Sequence, residues 1–150
     1  MSSCAHALRV ELGTQKLKQS LSQNLQQRYA LTKFVAPKDV GSILAKADVV
    51  VARAGINTIT ELIFFGKPSL LIPIPFSQKD EQRKNALFME SLGLAEVIPQ
   101  NILNSDKLYK VVSSMVGNKL QYSKHVVEAR KVVSIDAVKK IIEVIKVCGK

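Results

Sequence analysis

Two short segments of the chain carry the side chains best suited to ligand chemistry. The first is R-A-G at Arg53–Gly55, which follows an apolar run. A glycine at this position lets a ligand approach the backbone, and the free amides and dipole of a helix opening after it favour a phosphate. Carboxylates and amides in the second segment are suited to hydrogen bonds with sugar hydroxyls. These residues are Asp80, Glu81, Gln82 and Asn85.

Each of these features also has a purely structural explanation. Gly55 suits a strand-to-helix turn that needs an awkward backbone angle. Thr58 and Glu61 match a capping box, in which the two side chains satisfy exposed helix amides. Alternatively, the two oxygens of the Glu61 carboxylate accept hydrogen bonds from neighbouring ribose hydroxyls. The acids and amides near residue 80 are equally common as caps at a helix start.

Strand patterns recur along the first two thirds of the chain. Val49–Ala52 is apolar and β-branched without polar alternation, which is typical of a strand covered on both faces in a parallel sheet. Ser69–Ile74 and Ala95–Ile98 are predicted as further strands. Ala7–Val10 and Leu31–Val35 are weaker candidates.

Helical periodicity fills the intervals between these strands. Leucines at every fourth position from Leu17 to Leu25 predict one helix face, and another helix is expected to begin at Pro37 and stop near Asp48. Helices at Thr58–Phe65 and Lys79–Leu92 each end at a glycine. Beyond Pro99 two helical faces, expected to pack against the sheet, are formed by Leu108, Val111, Val112 and Met115, and by Val138, Ile141, Ile142 and Ile145.

Alternating strands and helices predict an α/β fold, a doubly wound parallel sheet flanked by helices and followed by a helical tail. Ligands of such sheets bind beyond the carboxyl ends of the strands. The loops Arg53–Thr58 and Pro73–Gln82 occupy that position. They are therefore the expected site.

Composition narrows the classes of function. The net charge of +10 fits an anionic partner, whether nucleic acid, lipid surface or phosphorylated ligand, although the basic residues are spread over several predicted helices. Apolar runs fall short of the roughly 20 residues that span a bilayer, so a soluble or peripheral protein is expected. Cys4 and Cys148 lack metal-ligand spacing, which indicates no metal site and a reducing, cytoplasmic setting.

Several common chemistries lack their sequence patterns. There is no G-x-S-x-G nucleophile elbow, no Walker A sequence and no G-x-G-x-x-G fingerprint. Covalent catalysis, a P-loop NTPase and a dehydrogenase are therefore not expected. Nucleic-acid binding is also not expected, because an RNP-like motif is missing and only 5% of the residues are aromatic.

A longer block of sequence carries a family resemblance. The block consists of A-D-V-V-V-A-R-A-G-I-N-T-I-T-E-L-I-F-F-G-K-P-S-L-L-I-P-I-P at Ala47–Pro75, followed by D-E-Q-R-K-N-A at Asp80–Ala86. It resembles the C-terminal domain of the MurG family of UDP-N-acetylglucosamine transferases. Weaker likeness includes L-G-T-Q-K-L near Gly13, Phe34-Val35, and A-E-V-I-P-Q at Ala95–Gln100.

The resemblance implies a Rossmann-like domain of the two-domain GT-B architecture, in which this half holds a UDP-sugar. Phe34 and Val35 match the family positions that contact uracil. Gly55–Thr58 match the loop that faces the diphosphate, and Glu61 matches the acid that binds the ribose. Gln82, with Glu81, matches the pair that contacts N-acetylglucosamine. The substrate-binding residues implied are Phe34, Val35, Arg53, Ala54, Gly55, Ile56, Asn57, Thr58, Glu61, Glu81 and Gln82.

The chain also departs from the family pattern. Glu81 stands where some members carry a second Gln, so the sugar that fits is open. The family's acceptor domain and the first strand of this domain, with its Gly-Gly-Ser phosphate loop, have no counterpart before Met1. We therefore expect residues 1–150 to form one UDP-sugar-binding domain that is incomplete at its N-terminus, with the acceptor domain or subunit supplied separately.

The expected reaction is an inverting transfer of N-acetylglucosamine from UDP-N-acetylglucosamine to a lipid-linked acceptor, the peptidoglycan lipid intermediate. No cofactor is expected besides this donor, and catalytic residues are unassigned. The expected location is the cytoplasm, with peripheral contact at the inner, anionic face of the membrane as an option. Two alternatives stay open: the soluble subunit of a split transferase of lipid-linked oligosaccharide synthesis, and a non-catalytic remnant or binding module.

Overall fold

A computed structural model of the protein describes residues 12–133 and 136–148. The chain divides into two compact units, residues 1–46 and residues 47–150. The strand predicted at Ala7–Val10 lies outside the described residues.

The regular structure of the first unit is helical over the residues described. Its helices are α1 (Leu12–Ser20), α2 (Gln23–Arg28) and α3 (Pro37–Lys46). The single helix predicted from Leu17 to Leu25 is wrong, because Ser22 is extended and separates α1 from α2. Gln26 Nε2 donates to Leu21 O at 2.7 Å and to Gln19 O at 3.1 Å. These bonds satisfy carbonyls at the end of α1 and stabilise the break.

The segment between α2 and α3 is irregular. The strand predicted at Leu31–Val35 is wrong, since these residues adopt no regular structure and form no ladder with another described segment. A short segment becomes a strand only where a neighbouring strand pairs with it. Thr32 Oγ1 instead donates to Phe34 O at 2.8 Å. The helix predicted from Pro37 is confirmed.

The second unit contains a parallel three-stranded sheet in the order β1-β2-β3. The strands Val50–Ala52 (β1), Ser69–Leu71 (β2) and Ala95–Val97 (β3) alternate with the helices Ile56–Phe65 (α4) and Glu81–Ser91 (α5). The register pairs Val50 with Ser69 and Ser69 with Ala95. The predicted parallel α/β arrangement is confirmed, although each strand is shorter than predicted.

Gly66 ends α4 as predicted. It adopts the left-handed conformation with φ of 63°, and Lys67 N donates back to Leu62 O at 2.9 Å. A Cβ at this position would lie 2.5 Å from Cγ1 of Val126. Both conformation and packing therefore require glycine here.

The sheet is packed through its central strand. Leu70 of β2 forms a buried cluster with Ile98 and with Met115 of helix α6 (Ser105–Gly117), and Leu108, Val111 and Val112 pack against it. This confirms the helix face predicted from residue 108 to 115. Ser69 and Leu71 point to the opposite face of the sheet and are also fully buried. Both faces of β2 are covered.

Two expectations about coverage are wrong. Val51 is 47% exposed, because β1 lies at an edge of the described sheet and one of its faces is not fully covered. The tail forms α7 (Lys119–Ser123), α8 (Val126–Arg130) and α9 (Ala137–Cys148). Ile141, Ile142 and Ile145 of α9 were expected to pack against the sheet but are exposed.

Among the described helices, none has the length and apolar character of a membrane span.

Candidate functional site

The loops that follow the three strands lie at one edge of the sheet, because the strands are parallel. Arg53, directly after β1, connects them. Its Nη1 donates to Ile72 O after β2 at 2.9 Å and to Gln100 Oε1 after β3 at 2.7 Å. One guanidinium therefore links all three strand ends. The sequence named Arg53 as a site residue, but it gave no indication that Gln100 would be its partner.

The start of α4 has an unusual combination of properties. Gly55 is the N-cap residue and makes no side-chain capping bond, while its carbonyl accepts a hydrogen bond from Ile59 N at 3.0 Å. Its φ of −67° and ψ of 146° suit any L-residue. A Cβ would meet only Thr58 Oγ1, at 4.0 Å. Neither conformation nor packing explains a glycine at this position.

The structural explanations considered for this segment are therefore wrong. Gly55 does not serve an awkward backbone angle. The T-x-x-E sequence does not form a capping box, because α4 begins at Ile56 and Thr58 lies inside the helix rather than at the N-cap. Glu61 is half-buried one turn further along the same helix.

Helix α5 holds the loop between β1 and α4 in place. Asn85 Nδ2 donates to Ala54 O at 3.1 Å, and Ala54 is fully buried. The two residues are 31 positions apart in sequence. This contact places α5, which carries Glu81 and Gln82, beside the loop that opens α4. Two segments named from the sequence are thus brought together.

Gln82 organises the loop that follows β2. Its Oε1 accepts a hydrogen bond from Ile74 N at 3.1 Å, and its backbone N–H donates to Ser77 Oγ at 3.2 Å. The amide oxygen is therefore used within the protein, and the Nε2 group remains as the donor end of this side chain. Glu81, the first residue of α5, is exposed.

The same loop contains backbone strain. Lys79 and Asp80 have φ values of 52° and 60°, in the left-handed region that disfavours residues with a Cβ. The side chain of Asp80 does not cap α5 but approaches Arg83 Nη1 at 3.4 Å. Strain of roughly 1–3 kcal/mol per residue is typically kept where a loop has a functional shape.

Phe34 and Val35 belong to the first unit, in the irregular segment before α3. Their expected contact with uracil stays a prediction.

The residues with shifted pKa values lie elsewhere. Burial, together with the hydrogen bond to Glu96 Oε1 at 3.0 Å, raises the pKa of Tyr122 to about 12. Over the described residues, His, Cys, Asp and Glu form no group that could hold a metal ion.

Comparison with known proteins places this arrangement in context. Residues 4–145 match the glycosyltransferase family 28 C-terminal domain. The UDP-N-acetylglucosamine--N-acetylmuramyl-(pentapeptide) pyrophosphoryl-undecaprenol N-acetylglucosamine transferase of Solibacter usitatus is 38% identical over 84 residues, which are 56% of this chain and 23% of that protein. The transferase of the same name from Shewanella violacea is 36% identical over 106 residues, 71% of this chain and 29% of that protein.

Solved structures show the same fold. The crystal structure of Acinetobacter baumannii MurG superposes with a TM-score of 0.68 at 24% identity, covering 78% of this chain and 33% of that one. The glycosyltransferase of kitacinnamycin gives a TM-score of 0.52 at 26% identity, covering 61% of this chain and 22% of that one. The matched part of this chain spans less than one third of the length of the two curated transferases.

Proposed function

The chain belongs to glycosyltransferase family 28, as its C-terminal domain, and from this premise we propose that it binds the donor in a hexosyltransferase reaction. The donor is UDP-N-acetylglucosamine and the acceptor is a lipid-linked sugar of the peptidoglycan pathway. The names of the relatives support both assignments. Because the chain spans 23–29% of those relatives, a separate domain or subunit supplies the acceptor site.

Gly55 is the observation that carries this proposal. Its backbone angles and its surroundings would accept a side chain, yet the position is left without one, directly at the start of α4. The first-turn amides and the helix dipole favour an anion there. A methyl group at Gly55 would occupy the space through which a pyrophosphate reaches these amides. We assign the diphosphate-facing loop to Gly55–Thr58.

We propose roles for further residues of the chain in binding the remaining parts of the donor. The half-buried Glu61 carboxylate accepts hydrogen bonds from the ribose hydroxyls. Gln82 Nε2 and the exposed Glu81 carboxylate contact the sugar, one as donor and the other as acceptor. Phe34 and Val35 contact uracil.

The proposed chemistry is an inverting displacement. The acceptor hydroxyl attacks the anomeric carbon, and UDP leaves as the bond to its terminal phosphate oxygen breaks. The amides at the start of α4 stabilise the charge that develops on UDP. Arg53 adds a positive charge at the strand ends, where its Nη1 is fixed by Ile72 and Gln100. The general base belongs to the acceptor part, and no cofactor beyond the donor is proposed.

We also propose a peripheral position at the inner membrane face. The undecaprenol in the names of the relatives is a lipid, so the acceptor of such an enzyme lies at a membrane. The net charge of +10 favours an anionic surface. Residues 1–150 act as one donor-binding domain in this proposal.

Calorimetric titration of the purified chain with UDP-N-acetylglucosamine tests the proposal, with UDP-glucose and ADP-ribose as controls. Saturable binding of the UDP-sugars without binding of ADP-ribose is expected. Glu61→Ala should weaken binding by about tenfold to a hundredfold, the loss expected for hydrogen bonds to a charged group. Glu90→Ala, on the exposed side of α5, is the matched control. A folded chain that binds none of these ligands would contradict the proposal.

A further inference from the structure

We infer that Asn85 is a positioning residue of the donor site and does not contact the sugar. Its side chain fixes the Ala54–Gly55 peptide group so that the Gly55 N–H faces the pyrophosphate. This inference rests on the proposed binding of a UDP-sugar. It assigns Asn85 a role different from that of Gln82, although both amides come from the same short sequence segment.

The contact that carries the inference lies between α5 and the loop before α4. Asn85 Nδ2 donates to Ala54 O at 3.1 Å, and this carbonyl belongs to a fully buried residue. A buried carbonyl without a partner is costly, so Asn85 holds the peptide group in its present orientation. The helices α4 and α5 also contact each other directly, which keeps Asn85 in register with the loop.

The orientation of the Ala54 carbonyl determines the direction in which the Gly55 N–H points. The C=O and N–H of a trans peptide point in opposite directions, and the chain has no cis peptide among its described residues. When Ala54 O points to α5, the N–H of Gly55 must point away from α5. The next peptide group is fixed as well, because Gly55 O accepts from Ile59 N at 3.0 Å.

The peptide groups before and after Gly55 are thus both held in place, and among the backbone bonds between described residues none is donated by the Gly55 N–H. The missing side chain of Gly55 leaves open space around it. Preorganised amide donors of this kind bind an anion without further rearrangement. Gln82 also holds a loop, because its Oε1 accepts from Ile74 N at 3.1 Å, but it differs from Asn85 in that its Nε2 is assigned to the sugar.

Nuclear magnetic resonance titration of the full chain tests this role with two probes, uridine and UDP, which differ by the diphosphate. Asn85→Ala should lower the affinity for UDP by about tenfold, the loss expected for a hydrogen bond to a charged group, and should change that for uridine by less than about twofold. In the wild-type protein UDP should shift the Gly55 amide proton. That shift should be lost in Asn85→Ala. The Gly55 resonance is identified by its absence in Gly55→Ala.

Two further variants separate positioning from general stability. Asn118→Ala removes a hydrogen bond of the same type, from Asn118 Nδ2 to Ser114 O at 3.0 Å on the exposed α6 terminus, and should leave both affinities unchanged. Asn85→Leu keeps a side chain of similar size without a donor and without a charge, and it replaces Asn85→Ala if that variant does not fold.

The outcomes are distinct. An Asn85 variant that is folded and binds UDP as the wild type does overturns the inference. Equal losses for uridine and UDP also overturn it, because they indicate a merely structural role. A folded wild-type chain that binds neither probe overturns the proposed function itself.

Discussion

Substitution of Gly55 by alanine separates the demands of the fold from those of the ligand. An added Cβ would meet only Thr58 Oγ1, at 4.0 Å, and the φ of −67° is ordinary for alanine. Alanine restricts the unfolded chain, which stabilises the protein by about 0.4–1 kcal/mol. Alanine is a poorer N-cap than glycine, which costs roughly 0.5–1 kcal/mol. The two effects offset each other, so the free energy of unfolding should change by less than about 0.5 kcal/mol.

Donor binding should respond differently. In the proposed site the new methyl group lies between the first-turn amides of α4 and the pyrophosphate, so at least one charge-assisted hydrogen bond should be lost. Such bonds contribute about 1.5–3 kcal/mol, which corresponds to a loss in affinity of roughly tenfold to more than a hundredfold. Gly117→Ala is the matched control, because a Cβ there meets no atom within 4 Å and the residue ends α6.

The assay pairs denaturant unfolding with calorimetric titration of UDP-N-acetylglucosamine for both variants. Gly55→Ala should keep its stability and lose affinity, whereas Gly117→Ala should keep its affinity. Wild-type affinity in a folded Gly55→Ala protein would refute the reasoning that the space at Gly55 serves a ligand. A large loss of stability would refute the structural part, since the fold would then require glycine at that position.

Three further predictions concern stability. Gly66→Ala should destabilise the fold by about 1–3 kcal/mol, because its φ is 63° and its Cβ would lie 2.5 Å from Val126 Cγ1. Denaturant unfolding measures this change, and an unchanged midpoint would contradict the prediction. Met115→Ala should cost about 2–5 kcal/mol, since Met115 is fully buried in the cluster under β2; a loss below about 1 kcal/mol would show that this cluster is loosely packed. Burial raises the pKa of Tyr122 from 10.0 to about 12, so its contribution to stability is complete below pH 10 and is lost as pH rises to about 12. Tyr122→Phe should reduce this alkaline loss of stability in thermal unfolding from pH 9 to 12, and an identical profile would argue against the shift.

The sequence predicted the fold best where local pattern and long-range pairing agree. Val49–Ala52 was predicted as a strand and forms β1, because β2 pairs with it in parallel. Leu31–Val35 was also predicted as a strand but forms none, since no described segment pairs with it. Periodicity alone does not contain that information. The break at Ser22 was missed for a related reason, because a side-chain bond from Gln26 to Leu21 O stabilises it.

The candidate site was predictable in position but not in its internal connections. Loops after parallel strands must share an edge, so the sequence sufficed to bring residues 53–58 and 73–82 together. The bonds from Arg53 to Gln100 and from Asn85 to Ala54 span 47 and 31 positions. Such pairs depend on how α5 and the loop after β3 pack against the sheet. The sequence left Asn85 open between a role at the helix start and hydrogen bonds to sugar hydroxyls, whereas the structure gives its amide to the backbone of Ala54.

The two glycines at the ends of α4 show most clearly what the structure adds to the prediction from sequence. Gly55 and Gly66 flank the same helix, and both fit common sequence rules for helix ends. Gly66 is explained completely by its left-handed conformation and by the side chain of Val126. Gly55 is required by neither conformation nor contact, beyond the general suitability of glycine as an N-cap, and we propose that the open space beside it serves a ligand. The same residue type thus serves the fold at one end of α4 and the proposed donor at the other.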